Sequence, residues 1–504
     1  MSKTPLFSFV VPYYHKIKSI KRCLQSLKNQ SMKDIEIIVV FDGADPEAEA
    51  IVNKFKDVKT LTIEHAGAPA ARNAGAKIAT GKYICFWDAD CYIESGAAHA
   101  WSLAFNKYPD VDFVYAGYRF VPEGRGGISG ERFDPWLLQI NNYISGMFPI
   151  KREKAPKWDE SLKSLQDWDF WLTAVENGCK GYWMEGYSFK TDFPEPKSIS
   201  GEGCRPENWL ERLETVKKKH KIPLRDICVS AIPCQEDGKR IARMIGADYR
   251  DEPMYFPNKY KTVIQIGFSP EQANVHAMNF KNEWGPQPKR ILFWRAQDIY
   301  SLRNKVAMAA VEALAISINA GVDYQFCEDK VVRDALQRMG FKAVVLPLPL
   351  DFSQEKDCPL PPKFKVLMDI EPEYGVVFES IERALPDVQF QKWEGAVNCD
   401  DFSVLVKFNK ERSIDTGVKK MLLSGRRVIS NIQAPFCGYI SAETLSVEKT
   451  RKAVIAAIRA VQDEKKLNKE AQSFYRDACS PQKFVDVIES VCKIRNNKEL
   501  AVAK

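Results

Sequence analysis

The sequence lacks the features by which membrane, secreted and zinc-finger proteins are usually recognised. It has no apolar run of about 20 residues, the length that a transmembrane helix needs. It also has no charged segment followed by an apolar one at its start, so we expect neither a membrane span nor secretion. Its 13 cysteines form no Cys-x-x-Cys pair and its 5 histidines form no cluster. A reduced, cytoplasmic compartment is therefore favoured.

A strong charge of one sign is missing too. The net charge of +7 is small for 504 residues, which argues against a dedicated nucleic-acid binder but leaves a local basic patch open. The densest basic cluster is KKKHK at 217–221, and we interpret it as the solvated end of a linker helix. A chain of this length can bury large cores and should divide into about two to four domains.

Strands alternate with helices over the first 90 residues. The apolar runs that we interpret as strands are FSFVVPYY at 7–14, EIIVVFD at 36–42, KTLTIEH at 59–65 and a run ending at Asp88. Such alternation predicts βαβ units and a mainly parallel sheet. Ligands of such sheets bind at the carboxyl ends of the strands, where Tyr14, Asp42, His65 and Asp88 fall.

Two carboxylates one residue apart, Asp88 and Asp90, close the segment GKYICFWDAD at 81–90. Residues i and i+2 of a strand point to the same side, so we expect the two carboxylates to converge. Oxygen ligands of this kind suit Mg²⁺ or Mn²⁺, which in turn hold phosphate oxygens. Taken alone, the pair could also be a turn signal.

Five motifs follow one another in a fixed order. They are VVPYY at 10–14, SLKNQ at 26–30, IIVVFDGAD at 37–45, APAARNAGAKIATGKYICFWDAD at 68–90 and WDESLKSLQDWDFWL at 158–172. In this order and at these spacings the sequence resembles the family 2 glycosyltransferases, which have the GT-A fold and use nucleotide sugars. The resemblance covers roughly residues 5–200. It implies transfer of a sugar from a nucleoside-diphosphate sugar to a hydroxyl, with inversion at the anomeric carbon.

The resemblance assigns the nucleotide to the strand ends. Asp42 would bind the base, since its carboxylate can accept a hydrogen bond from the imide N–H of a uracil, and Pro12 and Tyr14 would shape the pocket. A turn aspartate before Gly43 is the alternative. Arg72, in the ARNxG pattern, would contact the nucleotide or the diphosphate.

The same resemblance makes Asp90 the direct metal ligand. Asp88 would touch the ribose or a metal-bound water. The cofactor implied is Mn²⁺ or Mg²⁺, which neutralises the charge that builds on the departing nucleoside diphosphate.

Asp167 is the predicted catalytic residue. By the resemblance it is the general base that deprotonates the acceptor hydroxyl, with Gln166 standing where the family usually has a glutamate. An aspartate that stabilises the helix dipole is the alternative. On the same helix, Trp168 and Asp169 are predicted to contact the acceptor. The glycine-rich segment 124–136 would be a mobile lid.

A second half begins after a stretch rich in proline, glycine and serine. We predict a GT-A domain over 1–205, a linker over 206–225, and two Rossmann-like domains over 226–352 and 353–504, the last with a helical tail. The fold class is therefore α/β, a GT-A Rossmann-like nucleotide-sugar domain followed by two domains that resemble the GT-B fold.

The segment 417–431 resembles the donor-domain helix of retaining GT-B enzymes, but Lys420 stands where they usually carry a glutamate. Arg412 replaces the matching upstream glutamate. Two interpretations stay open, a second transferase and a degenerate module that binds glycan or packs a dimer. In a working site Lys407, Arg412 and Lys420 would face a diphosphate; otherwise they are exposed surface charges.

The sequence thus predicts a metal-dependent inverting glycosyltransferase whose acceptor is a glycan or lipid-linked glycan. The alternatives are a transferase acting on a hydroxylated base in DNA, whose binding would weaken steeply with salt, and a glycan-binding or scaffolding protein. Peripheral contact with the inner face of a membrane stays open, and nothing in the sequence predicts the oligomeric state.

Overall fold

The computed structural model divides the chain into two compact units, residues 1–224 and 225–504. The described residues are 4–121, 127–128, 130–192, 206–231, 234–250, 260–268, 288–306, 308–350, 359–394, 397–409, 415–441, 446–464 and 466–493. Each unit is of α/β type and has a core of its own.

In the first unit, the described strands form one sheet. Its strands are β1 Phe7–Tyr13, β2 Ile35–Asp42, β3 Val58–Ile63, β4 Tyr83–Phe86, β5 Cys91–Ile93, β6 Phe113–Val121, β7 Gly127–Ile128, β8 Ile150–Lys151 and β9 Gly181–Asp192. The helices are α1 Ile17–Lys28, α2 Pro46–Val52, α3 Ala68–Ile78, α4 Ala97–Lys107, α5 Pro135–Leu138, α6 Gln166–Glu176 and α7 Pro206–Lys219. The strand order is β3-β2-β1-β4-β8-β6-β9-β5, with β7 beside β6.

The first half of this sheet is parallel, as the alternation of strands and helices predicted. β3, β2, β1 and β4 pair in parallel, whereas β8 pairs antiparallel with both β4 and β6. Helix α3 lies unusually close to the sheet, because a Cβ at Gly75 would stand 2.3 Å from Cγ1 of Val10. Only glycine allows that approach. The approach sets the position of Arg72, one turn earlier on α3.

The strand before the paired carboxylates ends earlier than predicted. β4 stops at Phe86, and Asp88 and Asp90 lie in the turn that follows. The backbone N–H of Cys91 donates to the Asp88 carbonyl at 3.0 Å and closes this turn. The carboxylates are therefore placed by a turn, and the alternation of side chains along a strand does not apply to them.

In the second unit, the described strands form two parallel sheets. The strands are β10 Ile227–Ala231, β11 Asp248–Tyr249, β12 Thr262–Ile266, β13 Lys289–Trp294, β14 Tyr324–Cys327, β15 Ala343–Val345, β16 Lys365–Ile370, β17 Gln389–Lys392, β18 Val404–Phe408, β19 Arg427–Ser430 and β20 Cys437–Tyr439. The sheet orders are β11-β10-β12-β13-β14-β15 and β17-β16-β18-β19-β20. All pairings in both are parallel.

Helices connect these strands and close the unit. They are α8 Gln235–Met244, α9 Ala296–Lys305, α10 Met308–Gly321, α11 Lys330–Arg338, α12 Gly375–Ala384, α13 Thr416–Leu423, α14 Val447–Glu464, α15 Lys469–Ala478 and α16 Pro481–Lys493. The α/β class and the further parallel sheets agree with the prediction. The domain limits drawn within this half stay a prediction, because the structure treats 225–504 as one unit.

Candidate active site

Asp42, the last residue of β2, is buried, with 2% of its side chain exposed. Its Oδ1 accepts from the backbone N–H of Ala66 at 2.7 Å and its Oδ2 from that of Gly67 at 3.0 Å. Nδ1 of His65 lies 2.9 Å from Oδ2. The carboxylate therefore fixes the loop that leads into α3, a role that the sequence did not predict. Binding of a base by Asp42 stays a prediction.

An aromatic surface lies beside this carboxylate. Tyr14 is 48% exposed and stacks on the His65 ring, with centroids 4.2 Å apart and planes at 15°. Pro12 is half-buried in β1, and the neighbouring Tyr13 is buried and donates to Asp45 at 2.9 Å. Of the predicted base pocket, Tyr14 is the exposed side chain, and the rings of His65 and His15 both lie 4.2 Å from its ring. An exposed aromatic ring can stack on any base.

Arg72 connects the paired carboxylates with the helix of Asp167. Its Nη2 donates to Asp88 at 2.8 Å and its Nη1 to Oε1 of Gln166 at 3.1 Å. The guanidinium also lies over the Trp158 ring, 4.3 Å from the centroid. These contacts hold the cation in one orientation. Residue 166 is a glutamine where the resemblance implies a glutamate, so Arg72 bonds an uncharged acceptor at this position.

Asp90 meets a second cation, since Nζ of Lys16 lies 2.7 Å from its Oδ2. Within the described ranges, no group of three or more His, Cys, Asp or Glu side chains could hold a metal ion. Two carboxylates in one turn nevertheless fit Mg²⁺ or Mn²⁺, because such ions are commonly held by one or two carboxylates with substrate phosphates as further ligands. The residues that would hold the ion are Asp90 and Asp88.

Asp167 is the second residue of α6 and is partly buried. Burial raises the pKa of its carboxyl above the ordinary value, although the hydrogen bonds from Asn142 and from the Trp168 backbone work against that rise. Nδ2 of Asn142 donates to Oδ1 at 3.0 Å. A carboxylate whose pKa is raised is a better proton acceptor than an ordinary surface aspartate.

The backbone around Asp167 is tightly constrained. Leu165, just before α6, has φ +56°, in the left-handed region that side-chain-bearing residues seldom adopt and that clusters at functional sites. Gly146 packs closely against Asp167 as well, because a Cβ added at Gly146 would stand 3.1 Å from Cβ of Asp167 and 3.0 Å from Cη2 of Trp158. Neither constraint could be predicted from the sequence alone.

The two predicted acceptor contacts lie in the interior. Trp168 is 1% exposed and its Nε1 donates to the carbonyl of Leu138 at 2.6 Å. Asp169 is 2% exposed and is held by Lys219 and His220, as described next. Both side chains are enclosed and bonded within the unit, so the structure does not place them on an acceptor surface.

The basic cluster 217–221 is only in part a solvated helix end, since Lys217 and the His220 ring are buried. Nζ of Lys219 lies 2.7 Å from Asp159 and 2.7 Å from Asp169. Nε2 of His220 lies 2.8 Å from Asp169, and its Nδ1 lies 2.9 Å from Glu176. Burial lowers the pKa of His220, but the two carboxylates outweigh it and the net shift is upward. The end of α7 is thus bonded to α6 and to the loop before it.

In the second unit, two of the three predicted donor cations, Lys407 and Lys420, lie within the described residues. Lys407 is buried at the end of β18 and pairs with Asp369 and Asp415. Lys420 is exposed on α13, while the adjacent Lys419 is buried. Arg412 lies outside the described residues, as does part of the predicted lid, residues 122–126 and 129. A second donor site stays a prediction.

Comparison with known proteins identifies the first unit. Residues 8–158 match the model of the family "Glycosyl transferase family 2". The N-terminal unit carries a family 2 glycosyltransferase domain. This domain contains β1 to β4, the paired carboxylates and Arg72, and its matched range ends eight residues before α6.

Relatives of this glycosyltransferase domain are similar over part of the chain. An uncharacterized glycosyltransferase of Methanocaldococcus jannaschii is 29% identical over 232 residues, 42% of this chain and 76% of that protein. One from Rickettsia prowazekii is 30% identical over 186 residues, 34% of this chain and 58% of that protein. The hyaluronan synthase of Pasteurella multocida is 30% identical over 190 residues, 35% of this chain and 19% of that protein.

Two solved structures show a weaker likeness. S. aureus TarS 1–349 in complex with UDP-GlcNAc has a TM-score of 0.37 and 19% identity, covering 63% of this chain and 84% of that chain. The mannosyltransferase PcManGT from Pyrobaculum calidifontis, in complex with GDP-Man and Mn²⁺, has a TM-score of 0.34 and 15% identity, covering 43% and 65%. Across the described ranges, no helix is both long and apolar enough to cross a bilayer.

Proposed function

We propose that the first unit transfers a sugar from a nucleoside-diphosphate sugar to an acceptor hydroxyl, with inversion at the anomeric carbon. The observation that carries this proposal is the meeting of two motifs at one guanidinium. Arg72 bonds Asp88 of the paired carboxylates and Gln166, the neighbour of Asp167, at 2.8 and 3.1 Å. Groups suited to a diphosphate and a group suited to proton transfer therefore lie at one place.

In this proposal Asp167 is the general base. The acceptor O–H gives its proton to the carboxylate while the acceptor oxygen bonds to the anomeric carbon, and the bond from that carbon to the diphosphate oxygen breaks. Its raised pKa and the hydrogen bond from Asn142 support that role. A divalent ion at Asp90 would neutralise charge on the leaving diphosphate. Arg72 supplies a fixed positive charge beside the same position.

The nucleotide would lie along the edge from Tyr14 to Asp88. The exposed ring of Tyr14, which lies against the rings of His65 and His15, supports binding of a base by stacking. The acceptor proposed is a glycan or lipid-linked glycan, with the hydroxyl that is attacked near Asp167. For the second unit we propose a binding or structural role, since Lys407 is paired with Asp369 of the neighbouring strand and with Asp415 at the start of α13.

The test is release of nucleoside diphosphate from UDP-, GDP- and dTDP-sugars with Mn²⁺ or Mg²⁺. We expect one donor to be consumed and both Asp90→Ala and Asp167→Asn to abolish most of the release. Asp110→Asn, which changes an exposed carboxylate of the same unit, serves as the matched control and should behave like the unchanged protein. Release that survives both active-site changes would overturn the proposal.

A further inference from the structure

Each of the paired carboxylates is matched by a cation from a different element. Asp88 pairs with Arg72 of α3 at 2.8 Å, and Asp90 pairs with Lys16, the residue before α1, at 2.7 Å. Without a metal, two adjacent carboxylates would repel each other, and two nearby cations remove most of that cost. The charge that a divalent ion would supply is therefore already present in the protein.

The two cations differ in how firmly they are held. The Arg72 side chain is 11% exposed, lies over Trp158 and bonds Gln166. The Lys16 side chain is 48% exposed on a flexible four-carbon stem. Pairs as exposed as Lys16 with Asp90 contribute little stability and exchange readily. Of these two cations, Lys16 is the one that can leave without disturbing a packed core.

The turn that carries Lys16 begins at the aromatic surface. His15 has φ +48°, in the left-handed region that few residues other than glycine adopt. Its ring lies 4.2 Å from that of Tyr14, which stacks on His65. One short turn thus connects the ring face proposed for the base with the cation on Asp90.

We propose that Lys16 is a stand-in for the divalent cation. Its ammonium holds Asp90 in the nucleotide-free protein and leaves when the ion arrives with the diphosphate. The inference rests on the proposed metal site at Asp90. Two effects follow: the ion binds weakly when no nucleotide is present, and metal and nucleotide increase each other's affinity, since such coupling is reciprocal.

The experiment measures Mn²⁺ binding by the loss of the free-ion electron paramagnetic resonance signal, using the full chain at low salt. Titrations are run without nucleotide, with UDP and with GDP, on the unchanged protein, Lys16→Met, Lys18→Met and Asp90→Asn. We expect Lys16→Met to tighten nucleotide-free Mn²⁺ binding by up to about fivefold, the upper end of the range for removing one exposed ion pair. The gain in Mn²⁺ affinity on adding nucleotide should shrink by the same factor.

Lys18→Met is the matched control, because Lys18 is an exposed lysine two positions away on α1, and it should leave the affinity unchanged. If Lys16→Met leaves nucleotide-free Mn²⁺ binding unaltered while Asp90→Asn weakens Mn²⁺ binding in any of the titrations, the stand-in role is wrong and the metal site remains. If Asp90→Asn has no effect in any titration, the ion does not bind at Asp90, and the proposed metal site fails with the inference.

Discussion

The paired carboxylates of the first unit and one ion pair of the second unit are buried to different depths. In the first unit, Asp88 and Asp90 keep 37% and 29% of their side chains exposed although both are paired. In the second, Glu328 and Lys419 are 8% and 3% exposed and lie 2.6 Å apart. Exposed pairs exchange partners at little cost, whereas separating a buried pair is expensive. Pairs of the first kind suit ligand exchange, and pairs of the second kind hold a fold together.

Asp167→Asn should give the largest effect. Asparagine cannot accept the acceptor proton, so kcat should fall by about 10²- to 10⁴-fold, while nucleotide binding should hardly change. Because the carboxylate is the active form and burial raises its pKa, the rate should rise with pH through a value above that of an ordinary aspartate. Steady-state kinetics over pH would show this. A loss of nucleotide affinity equal to the loss of rate would contradict the role of base.

Breaking the buried pair of the second unit should affect stability. Lys419→Met removes the nearer cation from Glu328, which is 8% exposed and keeps Arg295 at 3.6 Å. We therefore expect the free energy of unfolding to fall by about 3 kcal/mol, the lower end of the range for breaking a buried pair. Lys16→Met, the matched change in an exposed pair, should cost no more than about 1 kcal/mol. Denaturant unfolding of the full chain measures both. Equal losses for the two variants would remove the contrast between the two pairs.

Gly146→Ala tests how tightly the residues of the first unit pack against Asp167. The added methyl group would press on Cβ of Asp167 and on Trp158, at 3.1 and 3.0 Å. Overpacking of this kind costs about 1 to 3 kcal/mol, and kcat should fall more than the nucleotide affinity. Gly96→Ala is the control, because a Cβ there would meet nothing within 4 Å. A normal kcat in Gly146→Ala would mean that Asp167 tolerates displacement.

His220 should give the smallest effect, and it should depend on pH. Asp169 and Glu176 face its ring, Lys219 shares Asp169, and the pKa of His220 is raised. Its stabilisation is therefore complete below the unfolded pKa of about 6.5 and is lost as pH rises through the folded value. We expect His220→Gln to cost about 1 kcal/mol at low pH and less as pH rises. His99→Gln, at an exposed position, should show no such trend.

The sequence predicted the parallel half of the first sheet because its strands are short apolar runs between clear helices. It also singled out Arg72, the paired carboxylates and Asp167, since each lies in a recognisable motif. It did not predict Lys16 beside Asp90 or Asn142 beside Asp167, which are 74 and 25 residues apart in sequence. Such pairs depend on tertiary packing, for which a single sequence carries no periodic signal.

The interpretation of KKKHK as solvated missed its bonded residues for a related reason. A run of lysines is usually solvated, and nothing local shows that Asp159 and Asp169 come to meet it. Asp169 itself was predicted to face an acceptor because it lies near Asp167. In an α-helix, however, residues two apart do not share a face.

The bonds from Lys219 to Asp159 and Asp169 determine how far a separately expressed first unit must extend. A polypeptide ending at residue 205, the limit that the sequence suggested, would retain Asp169 in the interior but lose Lys219 and His220 together. Separate expression of the N-terminal half should therefore extend to residue 224, the end of the compact unit. A shorter piece would carry every recognisable motif and still lack the helix that anchors α6.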